Sequence, residues 1–517
     1  MKRDNVTKRT LILRAAFAIC SLGLFLALPD SAVTAATPGR FLLVPLNEPS
    51  QDGYDADFPF LVTPNEKTVV YMEGEDLFSV PVSGGDPRHL ASRAVRSFQI
   101  SRDGRLVVCV RTVTDEPSDP TVPWREHLEL VSIPVNGGKP NLLAKLTSIA
   151  NAAWLWQNWT SPDSQWAAYA DGGKIFVAPL AGGKPQLVAT METEGEETPD
   201  AAIKFSPDSG TLLYRQSPGA KLFSVPRNGG TPVQLVGPKD LPAILDYQFA
   251  PDGSHIVVVF AGDTWTNKDI FEIYSFPKDG GAGVRLSASY ERRPEESSTR
   301  LVFLTDGTHF VYTSWDDAQK RHTIVKVSVD GSERTVLVTA DGPAQILHLE
   351  KVTGDDTLLF SVLDAQGRAL YSTPITDGAP VQLTPPYSDV YEQILVDDKG
   401  SLAVLLAVDW FGSDTTYSVY AVPVGGGALR LLTSSKDSIM RIALSSDGAR
   451  VFYLGYEGAN TRLYRVPAGG GDPEYMGVDD AREYRVLEAG DRVVIQTLSG
   501  FFSVVEASEA QYLPIMQ

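Results

Sequence analysis

The chain has 517 residues, 43% of them hydrophobic, and a formal net charge of −19 at pH 7. Such an acidic chain argues against nucleic acid and anionic lipid as partners, because both repel negative charge. The length is sufficient for a large buried core, and two cysteines in the whole chain cannot supply a disulfide framework.

The first 35 residues have the composition of a secretory signal peptide. Residues 1–14 contain five basic side chains, residues 15–29 are largely apolar, and Val33-Thr34-Ala35 precedes Ala36 as a cleavage site. No later segment approaches about 18 uninterrupted apolar residues. We therefore expect an exported chain, periplasmic or secreted, that does not span a membrane. Cleavage would leave a single cysteine, Cys109, which we interpret as a small buried apolar residue.

Residues 36–57 are predicted to form an N-terminal extension. Its segment Phe41-Leu42-Leu43-Val44-Pro45-Leu46 is a candidate strand for closing a ring. The following segment Asp52-Gly53-Tyr54-Asp55-Ala56-Asp57 resembles half of a calcium loop, but it lacks the regular spacing and the closing glutamate. We expect no cofactor, with Ca²⁺ on Asp52, Asp55 and Asp57 as the one open alternative.

Residues 58–517 repeat one pattern about ten times. Each unit has a polar turn like Ser206-Pro207-Asp208-Ser209, an apolar strand, a second apolar strand ending near proline, and a Gly-Gly turn. The spacing of the Gly-Gly-like turns is 44 to 53 residues, and they fall at Gly84, Gly137, Gly182, Gly229, Gly280, Gly331, Gly378, Gly426 and Gly470. A fixed period of this size indicates a repeat architecture.

The repeated unit is built from strands and turns. Proline fixes a corner, the aspartate carboxylate caps the backbone, and glycine adopts a conformation that a side chain would disfavour, so these aspartates are interpreted as structural. The segments between the turns are short, β-branched and aromatic, as in Ile256-Val257-Val258-Val259-Phe260. About four strands per unit predict an all-β fold, a β-propeller of about ten four-stranded repeats.

The units resemble the propeller repeats of TolB and tricorn-type proteins. The resemblance rests on the Ser-Pro-Asp-Gly-like turn and on phrases such as Leu463-Tyr464-Arg465-Val466-Pro467-Ala468-Gly469-Gly470, and it covers nearly all of the mature chain. TolB-like proteins add a small α/β domain, and the tricorn-like enzymes add a hydrolase domain; we expect neither here. The resemblance implies a fold, because such propellers occur in proteins of unrelated function.

The number of units leaves two arrangements open. Propellers usually close with about four to eight blades, so ten units predict either one large ring or two smaller propellers in tandem. The natural division for the tandem arrangement would be the polar segment 287–300.

Four tryptophans fall where each repeat joins its second and third strands. These loops lie on the face opposite the structural turns, and each tryptophan has an aspartate nearby. A tryptophan offers a flat stacking surface and a carboxylate accepts hydrogen bonds from hydroxyls or amines, so we predict a ligand-binding face. Its candidate residues are Trp124, Trp265, Trp315, Trp410, Asp263, Asp316 and Asp409.

Three functions remain open at this level. The first is a non-catalytic binding module or scaffold for an envelope protein, a secreted protein or a glycan. The second is a metal-dependent polysaccharide lyase or hydrolase, since some lyases of pectic sugars resemble this repeat and use propeller histidines; His127 and His322 occupy the same set of loops. The third is a propeller subunit of a separately encoded peptidase. No catalytic residue is predicted.

Overall fold

The computed structural model describes residues 41–47, 60–115, 125–147, 160–191, 203–216, 221–235, 243–261, 270–287, 290–291, 301–316, 319–342, 344–352, 357–376, 378–386, 391–411, 414–458, 460–487 and 490–506. Within these ranges there are 40 β-strands and no helix. None of these elements is a helix with the length and apolarity needed to cross a membrane.

The first five blades form one half of the ring. They are preceded in the chain by one strand, β1, which pairs with the last blade. The strands are β1 (Phe41–Pro45); blade 1, β2 (Leu61–Val62), β3 (Thr68–Glu73), β4 (Asp76–Pro81) and β5 (Arg88–Ala91); blade 2, β6 (Ala94–Ile100), β7 (Leu106–Asp115), β8 (Arg125–Pro134) and β9 (Asn141–Leu146); blade 3, β10 (Trp166–Asp171), β11 (Lys174–Pro179) and β12 (Gln186–Thr190); blade 4, β13 (Ile203–Phe205), β14 (Thr211–Gln216), β15 (Lys221–Pro226) and β16 (Val233–Leu235); and blade 5, β17 (Ala243–Phe249), β18 (His255–Ala261), β19 (Ile270–Pro277), β20 (Val284–Arg285) and β21 (Tyr290–Glu291).

The remaining five blades complete the ring. Their strands are, in blade 6, β22 (Val302–Phe303), β23 (His309–Asp316), β24 (Arg321–Ser328) and β25 (Arg334–Asp341); blade 7, β26 (Gln345–Val352), β27 (Thr357–Asp364), β28 (Gly367–Pro374) and β29 (Val381–Gln382); blade 8, β30 (Tyr391–Val396), β31 (Leu402–Phe411), β32 (Asp414–Pro423) and β33 (Arg430–Ser435); blade 9, β34 (Ile439–Leu444), β35 (Arg450–Glu457), β36 (Asn460–Pro467) and β37 (Glu474–Tyr475); and blade 10, β38 (Ala481–Val486), β39 (Arg492–Thr497) and β40 (Phe501–Glu506).

Each blade is an antiparallel sheet whose strands pair in chain order, except that β21 of blade 5 pairs with β19. Blade 3 has three described strands and a single bridge from Thr160 to Ala167 at the place of its first strand. Blade 10 takes its fourth strand from the other end of the chain, because β1 pairs with β40 in the register Phe41↔Glu506 to Pro45↔Phe502. The predicted all-β propeller of about ten repeats is therefore confirmed.

The apolar core is divided among the junctions between blades. The buried apolar side chains of the described residues form ten clusters, and each cluster joins two neighbouring blades. One of them joins blade 10 to blade 1, where the rings of Tyr71 and Phe501 lie 4.7 Å apart. Another joins blades 5 and 6 in the same way. The ten blades thus form a single ring, which decides between the two arrangements left open by the sequence.

The polar turn between the first and second strands is held by its own side chains. In blade 2, Ser101 Oγ donates to Asp103 Oδ1 at 2.6 Å and accepts from the backbone nitrogen of Leu106 at 3.0 Å. The same carboxylate oxygen accepts from the nitrogen of Arg105 at 3.1 Å. Because its acceptors are engaged inside the turn, this aspartate acts on the local backbone.

The Gly-Gly turns between the third and fourth strands explain why glycine recurs there. Gly280 has φ +88°, and a Cβ added to it would overlap the side chain of Val233 from the preceding blade. Gly84 repeats this arrangement at the ring closure, where a Cβ would lie 2.5 Å from Cγ1 of Val44. Glycine is therefore required by backbone conformation and by the close approach of the neighbouring blade.

The single cysteine of the described chain lies in the core between blades 1 and 2. Cys109 is fully buried, and this burial raises the pKa of its thiol to about 12. A thiol that stays protonated at physiological pH is a poor nucleophile, which agrees with its interpretation as a small apolar residue.

Candidate ligand-binding face

The antiparallel blades give the ring two different faces. Turns between strands one and two, and between strands three and four, lie on one face, which we call the turn face. The hairpin ends between strands two and three lie on the opposite face, the loop face. Strands two and three have six residues each in blade 1 but ten in the pairs β7–β8 and β31–β32. Four additional residues extend these two hairpins by about 13 Å on the loop face.

The hairpins that carry the predicted tryptophans in the sequence share this face but do not converge on one point. These hairpins belong to blades 2, 5, 6 and 8, and neighbouring blades of a ten-bladed ring are about 36° apart. Blades 5 and 6 are neighbours, whereas blades 2 and 8 are separated from them and from each other. Trp124, Trp265 and Asp263 lie outside the described residues.

Two of the predicted loops are strands. The sequence places Trp315, Asp316, Asp409 and Trp410 in loops, but the first two lie in β23 and the last two in β31. These residues are in strands because cross-strand pairing reaches them. In the β23–β24 hairpin the last pair is Asp316↔Arg321, and in the β31–β32 hairpin pairing continues past Trp410. The prediction of loops at these residues is therefore wrong, although their position on the loop face stands.

Trp315 is largely buried. It is 9% exposed, belongs to the core cluster between blades 5 and 6, and lies with its ring centroid 4.7 Å from that of His322 on the opposite strand. His322 itself is 1% exposed. A ligand could therefore reach only a small part of the Trp315 ring, and this side chain contributes mainly to packing.

The extended hairpin of blade 2 carries a network of charged side chains. His127 lies between two carboxylates, with Nδ1 3.1 Å from Asp115 and Nε2 3.2 Å from Glu129. Arg111 donates to Glu129 through Nε at 3.2 Å and Nη2 at 2.9 Å. These groups lie on one face of the hairpin because side chains two residues apart on a strand share a face.

A second group of polar and charged side chains lies at the connection between blades 1 and 2. Arg93 donates to Glu126 at 2.8 Å and to Thr114 at 2.7 Å, and its backbone nitrogen donates to Asp76 at 3.2 Å. These groups are largely exposed, so screening by water makes each pair weak on its own. Together they hold the loop-face end of the hairpin against the connection from blade 1.

Glu129 is the most buried carboxylate of the network, with a side chain 10% exposed. Burial alone would raise its pKa, but the bonds from Arg111 and His127 outweigh burial and hold the pKa below its usual range. Glu129 is therefore charged near neutral pH, and its charge depends on these two partners.

Replacement of Arg111 by methionine is expected to destabilise the protein by about 2 kcal/mol at pH 8, because Glu129 then remains as a buried, poorly compensated charge. Without Arg111, the pKa of Glu129 rises, so protonation on acidification relieves the penalty. The loss in free energy of unfolding, measured by chemical denaturation, should therefore be smaller at pH 5 than at pH 8. An equal loss at both pH values would show that Arg111 acts through packing alone.

The two histidines of the lyase hypothesis do not share a site. His127 lies on blade 2 and His322 on blade 6, where it is buried. The carboxylates near His127 approach opposite ring nitrogens, so they do not converge with it on one point. Among the described residues no group of three or more His, Cys, Asp or Glu side chains is placed to hold a metal ion. Asp52, Asp55 and Asp57 lie outside those residues.

Asp115, Glu129 and Arg111 are not predicted from the sequence. A signal was present, because strands two and three pair symmetrically about their loop, which places Arg111 opposite Glu129. Recognising this pairing requires the ends of β7 and β8, and nine residues separate these ends in the sequence.

Solved structures similar to this chain include several propeller proteins. Dipeptidyl peptidase 4 from Porphyromonas gingivalis has 11% identity and a TM-score of 0.45, with 81% of this chain and 59% of that chain covered. The tricorn protease has 10% identity and a TM-score of 0.32, covering 88% and 55%. TolB from Acinetobacter baumannii has 15% identity and a TM-score of 0.27, covering 71% and 82%.

The chain is a ten-bladed β-propeller. At these identities the likeness concerns the fold alone, and the named proteins differ in function. No protein-family model matches the chain. No curated protein matches it either.

Proposed function

We propose that this protein is an exported, non-catalytic propeller that binds a macromolecular partner through its loop face. The observation that carries the proposal is the distribution of the tryptophan-bearing hairpins, which share one face but belong to blades 2, 5, 6 and 8. The partner is an envelope protein, a secreted protein or a glycan, and the protein acts in the periplasm or outside the cell.

The size of the ring favours a large partner. Neighbouring strands in a sheet are about 4.8 Å apart, so a four-stranded blade is about 15 Å wide, and hairpins on distant blades are tens of ångströms apart. A small molecule could contact one hairpin or two neighbouring hairpins. A protein surface or an extended glycan could contact several of them at once, which raises affinity through multiple contacts.

The chemistry of the hairpins supports the same partners. Tryptophan and arginine are the side chains most enriched at the energetic centres of protein interfaces. The blade 2 hairpin offers Asp115 and Glu126 near its loop-face end, with Arg93 of the preceding connection beside Glu126, and the sequence places Trp124 between its two strands. Such a combination suits stacking against a sugar ring or against a partner's arginine, with polar groups at the rim.

A pull-down from envelope and culture-supernatant extracts tests the proposal. The mature protein is compared with a triple variant, Trp124→Ala, Trp265→Ala and Trp410→Ala. Trp315 is left in place, because removal of a buried ring would create a cavity. We expect the parent to retain a protein or glycan that the triple variant retains at least about tenfold less, the equivalent of 1.4 kcal/mol.

Trp166→Ala is the matched control for this experiment. Trp166 begins β10 at the turn face, where the guanidinium of Arg227 lies 4.2 Å from the centre of its ring. This variant should retain the partner as the parent does, and the parent and the triple variant should unfold at similar temperatures. Equal retention by parent and triple variant would contradict the proposal, as would turnover of a pectic oligosaccharide that disappears in His127→Ala.

A further inference from the structure

His127 in the blade 2 hairpin lies between two carboxylates. Its Nδ1 is 3.1 Å from Oδ2 of Asp115, and its Nε2 is 3.2 Å from Oε1 of Glu129. A neutral imidazole has one N–H group and one nitrogen lone pair, whereas a protonated imidazole has two N–H groups. A neutral His127 therefore turns a lone pair toward one of the two carboxylates, and only the protonated ring turns an N–H toward both.

The two carboxylates differ in what else holds them. The Glu129 side chain is 10% exposed, and it accepts hydrogen bonds from Nε and Nη2 of Arg111 at 3.2 and 2.9 Å. Asp115 is the last residue of β7, and its side chain is 62% exposed. Because Glu129 keeps Arg111 whether or not His127 is protonated, loss of the proton weakens mainly the contact with Asp115, at the loop-face end of the hairpin.

The elements around His127 carry further charged groups, and one of these titrates near neutral pH. The groups are Arg111, Arg125 and Lys145 on the strands of blade 2 and Glu73, Glu75, Asp76, His89 and Arg93 on blade 1 and its connection to blade 2. Arginine and lysine ordinarily stay charged, and carboxyl groups ionised, between about pH 5.5 and pH 8. His89 lies 3.5 Å from Asp76 and 3.1 Å from the hydroxyl of Ser92. Variants at His127 and at His89 therefore separate the two titrations.

We propose that the β7–β8 hairpin is a pH-sensitive element of the loop face, whose end is held closed by protonated His127 and released by the neutral ring. Histidine changes charge between about pH 5 and pH 8. The two contacts exist in the folded protein and require the proton, so the stability that they give is present at acidic pH and is lost as the pH rises. The backbone pairs that open run from Thr112↔Leu128 to Asp115↔Arg125.

Release of this end changes the loop face, because the hairpin extends beyond the shorter strands of blade 1. The consequence for binding rests on the proposed function: a partner that contacts the closed hairpin is retained more strongly at pH 5.5 than at pH 8. The experiment that tests the pH-sensitive hairpin uses the free protein. Its outcome is therefore decided separately from that of the pull-down.

Hydrogen–deuterium exchange of the mature protein at pH 5.5 and pH 8, followed by mass spectrometry, tests the proposal. Protection factors, which correct for the intrinsic pH dependence of exchange, are compared for peptides that contain the ends of β7 and β8. We expect at least about threefold greater protection at pH 5.5, the effect of one partly exposed ion pair. The β31–β32 hairpin is the internal control and should be equally protected at both pH values, because its strands also have ten residues each and contain no histidine.

His127→Gln and His89→Gln are the matched pair of variants. Glutamine at position 127 keeps a hydrogen-bond donor but gains no proton, so this variant should lose the difference between the two pH values, whereas His89→Gln should keep it. Asp115→Asn changes an exposed side chain and should reduce the difference, which gives a second test that does not depend on the stability of His127→Gln. Equal protection of the parent hairpin at both pH values would overturn the proposal. So would a difference that persists in His127→Gln, is undiminished in Asp115→Asn, or occurs equally in β31–β32.

Discussion

Replacement of Arg465 by alanine is expected to lower the free energy of unfolding by about 3 kcal/mol, because it removes a buried arginine that joins β1 and β40 to blade 9. Arg465 is 6% exposed. It donates to Glu474 at 2.9 Å and to Glu506 at 3.0 Å, and its guanidinium lies 4.6 Å from the centre of the Phe41 ring. Denaturant unfolding of the parent and the variant measures the difference.

The matched control is Arg462→Ala on the same strand. Arg462 also contacts two carboxylates, Glu457 and Asp479, and lies near the Tyr475 ring, but its side chain is 30% exposed. Exposed ion pairs contribute at most about 1 kcal/mol, so this variant should be much less affected. Similar losses in the two variants would show that Arg465 is not the residue that holds β1 and β40 to blade 9.

Replacement of Gly280 by alanine is expected to cost about 2–4 kcal/mol. Its φ of +88° disfavours any side chain by about 1–2 kcal/mol, and the added Cβ overlaps Val233, which forces the blades apart. Thermal or denaturant unfolding would measure this loss.

Gly74→Ala separates the two contributions. Gly74 has φ +61° in the β3–β4 turn, and nothing lies within 4 Å of an added Cβ. This variant should show only the backbone cost, about 1 kcal/mol. Equal losses of stability in the two variants would show that the close approach of the neighbouring blade adds nothing to the cost of a side chain at Gly280.

The turns of this protein are predictable from its sequence because their chemistry is local. Ser101 and Asp103 bond to the backbone within five residues, and the pattern repeats with each blade. Closure of the ring is not local. The side chain of Asn47 accepts a hydrogen bond from the nitrogen of Phe501, 454 residues later in the chain. No short-range pattern records such a contact, so the sequence alone could not choose between one ring and two.

The candidate binding face is predictable in position but not in detail. Strand alternation and blade topology place the tryptophan hairpins on one face. The burial of Trp315 depends on core residues contributed by blades 5 and 6, which the local sequence does not reveal. The charges around His127 depend on how far β7 and β8 continue beyond the ring, and strand length is set by cross-strand pairing.

The most direct test of the central claim is a cryo-electron microscopy map of the mature protein bound to the partner captured from the extracts. The account predicts density for the partner over the loop face, in contact with the extended hairpins β7–β8 and β31–β32 on separate blades. Density confined to the turn face or to the outer strands of the blades would contradict it.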